Sequence, residues 1–148
     1  MLNRLVEVFA SFERHEVRYL VIGGIAAVLH GVPRATFDVD ILIEPSPDNA
    51  AALLAALEEA GLGTSRLTSA QEILANEITI FEDRVRIDVQ TSTPGIAFED
   101  AWRRKDTMTF ESQDFFVVCL EDLIASKKAA GRPVDLEDVR LLAQGEEE

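Results

Sequence analysis

Leu2, Leu5, Val6, Phe9 and Phe12 recur at the spacing of one helix face. They predict an amphipathic N-terminal helix within residues 1–16, ending in the charged Glu13 to Glu16 segment. Val17 to Ile22 is apolar and β-rich, a first strand that runs into Gly23-Gly24. Ile25 to His30 are good helix formers stopped by Gly31 and Pro33, which gives a unit of strand, glycine turn and short helix. Phe37 to Ile43 predicts a second strand, closed by Pro45-Ser46-Pro47. The alanine- and leucine-rich stretch from Asp48 to Ala60, with Gly61 just beyond it, predicts a helix and its stop.

Further along, Glu77 to Phe81 and Arg84 to Gln90 read as two strands of a hairpin around Glu82-Asp83. Thr93-Pro94-Gly95 breaks the chain. Phe98 to Arg104 then predicts a short helix, and Thr107 to Phe110 with Phe115 to Val118 two short strands. Glu121 to Ala130 and Asp135 to Ala143 form a C-terminal helix pair within residues 120–143, around Gly131-Arg132-Pro133, and residues 145–148 form a frayed tail. With no repeat and no long linker, residues 1–148 are expected to make one α+β domain, a small mixed sheet flanked by helices.

Composition narrows the function. At 148 residues and 47% hydrophobic, the chain can bury a core of its own. It carries 14 basic against 27 acidic residues, a net charge of -13, so non-specific binding of nucleic acid is not expected. Arg103-Arg104-Lys105 and the Lys127-Lys128 to Arg132 cluster read either as solvated helix ends or as local anion sites. No apolar run approaches a membrane span, and the N-terminus lacks the apolar region of a secretory signal. Cys119 is the one cysteine, so no internal disulfide forms, which agrees with a cytoplasmic protein; it lies in an apolar run and is expected in the core. His15 and His30 have no second ligand at zinc spacing and are expected at the surface or as caps.

The candidate chemistry lies in three places. Asp38 and Asp40, two apart on a strand, project to one face, and Asp88 on a neighbouring strand completes a set of three carboxylates. Hard oxygen ligands of this kind suit Mg²⁺ or Mn²⁺ and leave positions for a nucleotide phosphate. Gly23 and Gly24 have no side chain to block a triphosphate, and the helix after them presents unpaired N–H groups. Arg34 and Thr36 lie just before the aspartates, with Thr36 expected on the strand face of Asp38 and in reach of phosphate. Taken singly, Gly23-Gly24 also reads as a plain tight turn, Asp38 and Asp40 as a solvated strand face and Asp88 as a surface acid; their order and strand context favour nucleotidyl transfer.

Ile22-Gly23-Gly24, then thirteen residues, then Asp38-Val39-Asp40, resembles the signature of the nucleotidyltransferase superfamily that includes DNA polymerase β. Leu123-Ile124-Ala125-Ser126-Lys127, followed by Arg132 and Asp135-Leu136-Glu137-Asp138, is similar to a late segment of AbiEii-type toxins and related small bacterial nucleotidyltransferases. The resemblance implies a nucleotidyltransferase fold, with Asp38, Asp40 and Asp88 holding metal and Lys127 approaching the nucleotide phosphates. It also implies that Asp135 orients Lys127 or the acceptor. Full-length AbiEii-type toxins carry a further helical region that this sequence has no room for, so the acceptor is not specified.

The expected activity is Mg²⁺-dependent transfer of a nucleoside monophosphate from a nucleoside triphosphate, ATP among them, to a hydroxyl of RNA, protein or a small molecule. The expected setting is a toxin–antitoxin pair with a cognate toxin or antitoxin as partner. An antibiotic-modifying enzyme acting on aminoglycosides or lincosamides is a variant of the same chemistry. A non-catalytic nucleotide sensor or antitoxin module is the alternative of a different class.

Overall fold

The computed structural model describes residues 2–36 and 38–147, without the side chains of residues 146 and 147. A short 3-10 turn, Leu2–Arg4, leads into helix α1, Val6–Arg14, whose buried face carries Val8, Phe9, Ser11 and Phe12. Phe9 stacks on Phe115 with ring centroids 4.6 Å apart, fixing the helix against the sheet. The first strand, β1 (Tyr19–Ile22), is buried along its whole length and is followed at once by α2 (Gly23–Leu29). The two glycines thus form the first turn of the helix itself, not a separate turn before it.

Strand β2 is Asp38–Ile43, and the first residue assigned to it from sequence, Phe37, lies outside the described residues. Thr36 belongs to the irregular segment that follows Val32, so it does not share the strand face of Asp38. Helix α2 has already ended at Leu29, and Gly31 at φ +110° and Pro33 interrupt the backbone in the segment that follows. Helix α3 (Pro47–Glu59) starts on Pro47 and is capped by Ser46, whose side chain accepts the Asn49 N–H.

Residues 62–76, unassigned from sequence, hold a 3-10 turn, Gly63–Leu67, and helix α4, Ala70–Ala75. Ser69 caps α4 by accepting the Glu72 N–H, a Ser-x-x-Glu pattern that was legible in the sequence. Strands β3 (Ile78–Glu82) and β4 (Arg86–Gln90) pair antiparallel, as the hairpin reading expected.

Helix α5 (Phe98–Arg103) precedes a second hairpin, β5 (Asp106–Phe110) and β6 (Gln113–Val117). Its turn residues Glu111 and Ser112 both take positive φ, 49° and 66°, the backbone of a two-residue hairpin loop. Helix α6 (Leu120–Ala130) ends on Gly131 in the left-handed conformation. Cys119 stands just before α6 and is only partly buried, not a core residue.

Helix α7 runs over Pro133–Glu147. It begins two residues before the expected start at Asp135, because Pro133 is suited to a first helical turn. It also continues through Gly145, so the described part of the expected frayed tail is helical.

Among the described residues, seven α-helices and a six-stranded mixed sheet, in the order β3-β4-β2-β1-β6-β5, make an α+β fold. The central strands β2 and β1 are antiparallel, while β2–β4 and β1–β6 are parallel. Val39, Ile41, Ile87 and Val89 are buried on one face of this centre, which leaves Asp38, Asp40, Arg86 and Asp88 on the other. Among the described residues no helix is long and apolar enough to cross a membrane.

Candidate active site

Parallel pairing of β2 and β4 sets Asp38 opposite Arg86 and Asp40 opposite Asp88. Because side chains alternate along a strand, these four groups form a two-by-two grid on one face of the sheet. Arg86 binds the acid two residues along its own strand, with Nε 3.0 Å from Asp88 Oδ1 and Nη2 3.4 Å from Oδ2. Its Nε is also 3.8 Å from Asp38 Oδ2. Arg86 was not among the residues singled out from sequence; its signal was the i, i+2 spacing to Asp88.

Asp40 sits deepest. Among the described residues no hydrogen bond or ion pair reaches its carboxylate. Burial, with the charges of Asp88 and then Asp38 adding to it, pushes Asp40 up from 3.8 to about 6. Gly23 makes room for this group: its φ is +70°, and a Cβ there would collide with the Asp40 carboxylate. The glycine pair therefore admits the aspartate as well as leaving space for a ligand.

Asp40 and Asp88 open into a cleft of about 340 Å³ that Gly23, Gly24, Arg34, Lys127, Arg132 and Asp135 also line. Of the residues expected from sequence, the structure brings these together. Asp38 and Thr36 lie outside that lining. Thr36 lines an adjoining cavity of about 770 Å³ together with Arg34 and Arg86, and its Oγ1 lies 3.5 Å from where a Gly24 Cβ would stand.

The cationic side of the cleft is tightly held. Lys127, 6% exposed, places Nζ 2.8 Å from Asp138 Oδ2 and 3.7 Å from Asp135 Oδ1. Arg34 Nη1 reaches the other oxygen of Asp138 at 2.9 Å. Asp135 is gripped instead by Arg132, whose Nε and Nη2 lie 2.7 and 3.1 Å from its two oxygens. Those hydrogen bonds from Arg132 hold the Asp135 carboxyl below the usual carboxylate range. The nearer partner of Lys127 is thus Asp138, a buried residue that sequence reasoning quoted within a motif but gave no role. Its link to Arg34 ties α7 to the segment after α2.

The donor set suits a hard divalent cation chemically: every candidate ligand is a carboxylate oxygen, and burial together with the charges of Asp88 and Asp38 disfavours the ionised form of Asp40. Among the described residues no three acid, histidine or cysteine side chains are gathered closely enough to hold an ion together. In the grid, Arg86 Nε stands 3.0 Å from Asp88 and 3.8 Å from Asp38.

Residues 2–143 match the sequence model of a family described as "nucleotidyltransferase of unknown function (DUF6036)". The chain belongs to this family. No curated protein matches it. Membership agrees with the order glycine pair, two aspartates on β2, third aspartate on β4, and it places the chain in the nucleotidyltransferase superfamily.

Proposed function

We propose that the cleft between β2, β4, α2 and the α6–α7 pair transfers a nucleoside monophosphate from a nucleoside triphosphate to a hydroxyl. The observation that carries this reading is the register of Asp40 with Asp88, facing Gly23 in a cleft whose far wall holds Lys127. The acceptor hydroxyl gives up its proton to solvent water, its oxygen forms a bond to the α-phosphorus, the bond from that phosphorus to the β-phosphate bridge breaks, and pyrophosphate leaves. Asp38, Asp40 and Asp88 would hold Mg²⁺ or Mn²⁺, which supplies charge neutralisation at the phosphates and a more acidic acceptor hydroxyl.

The chain's own residues do the rest. Gly23 and Gly24 let the triphosphate lie close to the backbone, and Lys127, Arg34 and Arg132 offer positive charge along it. The triphosphate must compete with Asp138 for Lys127 and Arg34, so binding loosens the contact of α7 with the segment after α2. For the setting we favour an AbiEii-type toxin in a cytoplasmic toxin–antitoxin pair, on the run Lys127, Arg132, Asp135-Leu136-Glu137-Asp138.

Incubating the protein with each α-labelled nucleoside triphosphate, Mg²⁺ or Mn²⁺ and a cell extract tests the reading. Label on RNA, protein or a small molecule is expected, and Asp40→Asn lowers it about a hundredfold or more, the scale of losing one group that stabilises transition-state charge. A second reading, nucleotide binding without turnover, draws on the internal pairing of Lys127 and Arg86. Tight nucleotide binding with no label on any acceptor would favour it.

A further inference from the structure

We propose that Arg86 is a built-in cation that occupies the carboxylate grid when no metal is bound and competes with a divalent cation for Asp88 and Asp38. The inference rests on the reading of Asp38, Asp40 and Asp88 as cation ligands, and it adds a residue that opposes loading of that site.

Pairing places the groups in two rows across three strands. One row runs Glu82, Arg86, Asp38 and the other Ile80, Asp88, Asp40. Side chains on paired residues share a sheet face, so a single guanidinium stands among four carboxylates. It does not divide itself evenly. Two of its nitrogens take the two oxygens of Asp88, at 3.0 and 3.4 Å, and Nε lies 3.8 Å from Asp38.

A planar guanidinium against both oxygens of one carboxylate is the pairing for which arginine is best built, and it consumes the acceptor positions a cation would use. Asp88 is also the less exposed of the two acids, 16% against 47% for Asp38, so its pair with Arg86 is the less screened one.

The arrangement also provides a way out. Arg86 is 36% exposed, so its side chain can leave the grid without unpacking the core. Glu82, its register partner on the edge strand β3, is solvent-exposed and lies on the side away from Asp38. When a cation takes Asp88, the guanidinium turns towards Glu82 and its charge stays paired. The edge hairpin β3–β4 thereby carries both a ligand for the cation and the group that competes with it.

The test is Mn²⁺ binding to the full chain, read by electron paramagnetic resonance of the free ion, for wild type, Arg86→Gln and Arg86→Lys, with circular dichroism to confirm folding. Competition predicts that Arg86→Gln binds Mn²⁺ about tenfold or more tightly than wild type, the scale of one charge-assisted hydrogen bond removed. Arg86→Lys, which keeps the charge but loses the two-pronged grip, falls between them. Without metal, Arg86→Gln melts below wild type, and Mn²⁺ raises its melting temperature by more than it raises that of wild type.

Mn²⁺ affinity equal to or weaker than wild type in Arg86→Gln overturns the inference while leaving the carboxylates as ligands. Mn²⁺ binding by none of the three proteins overturns both the inference and the metal reading beneath it. Binding by Arg86→Gln alone supports both.

Discussion

Gly23 and Asp40 are one decision made by two residues. The half-buried Asp40 carboxylate fills the space where a Cβ at Gly23 would stand, and only a residue without Cβ, able to sit at φ +70°, leaves that space at the end of β1. Gly23→Ala is therefore expected to destabilise the fold by about 1–2 kcal/mol and to push Asp40 out of register with Asp88. Urea unfolding and the loss of nucleotide binding measure the two effects. Gly24→Ala differs, because the new Cβ meets the end of a flexible side chain, Arg34 Nη2 at 3.3 Å, and stability should be nearly unchanged.

Asp40 also makes the metal-free protein pH-sensitive. Its carboxyl titrates at about 6 in the fold against 3.8 when unperturbed, so the folded state holds its proton longer than the unfolded state. Below pH 3.8 both states are protonated and Asp40 costs nothing; between there and about 6 stability falls as pH rises, and above it the penalty is complete. Asp40→Asn should accordingly stabilise the metal-free protein at pH 8 and leave it unchanged near pH 3.5. Thermal melts at the two pH values check this, and an equal gain at both would contradict the proposed burden on Asp40.

At the scale of elements, the α6–α7 pair is fastened by charge in a buried place. Lys127, Asp135 and Asp138 are 6%, 2% and 1% exposed, and Asp138 holds both Lys127 on α6 and Arg34 beyond α2. Losing one partner of such a set strands a charge. Asp138→Ala is expected to cost about 3–5 kcal/mol, and Lys127→Met with Asp138→Leu together to recover most of it. Chemical denaturation of the single and double variants tests this; a double variant no more stable than Asp138→Ala would show that the pair does not account for the loss.

The same elements show what a sequence can and cannot express. Period-two alternation made Asp38 and Asp40 legible as neighbours on one face, and the glycine pair was legible beside them. That Asp88 lies opposite Asp40 was not, because parallel pairing joins residues 48 apart and its register is set by the packing of the buried face, which a sequence does not show. The preference of Lys127 for Asp138 over Asp135 depends on where α7 begins, and starting the helix at Pro133 turned Asp135 towards Arg132. Helix α4 was missed although Ser69 and Glu72 announced it, because its six residues carry little periodic signal.

Across the whole molecule, the chain carries an excess of negative charge, while the cleft is proposed to take a polyanion. With a net charge of -13, the chain repels a triphosphate at long range, and attraction is confined to Lys127, Arg34, Arg132 and any bound cation. Raising ionic strength screens the distant repulsion along with the local attraction. Binding of a nucleoside triphosphate should therefore fall less steeply with salt than it does for a basic protein of similar size. Titrations at 50 and 500 mM salt, about a tenfold span that carries the Debye length from above to below 10 Å, measure the slope.

The claim that matters most is that Asp40 and Asp88 act together on a nucleotide in one cleft. The most direct measurement is pyrophosphate release coupled to α-label transfer, with Mn²⁺ and cell extract, in wild type, Asp40→Asn and Asp88→Asn. The account predicts label and pyrophosphate in equal amounts from wild type and almost none from either variant. Equal transfer by all three proteins, or pyrophosphate with no labelled acceptor from wild type, would contradict it.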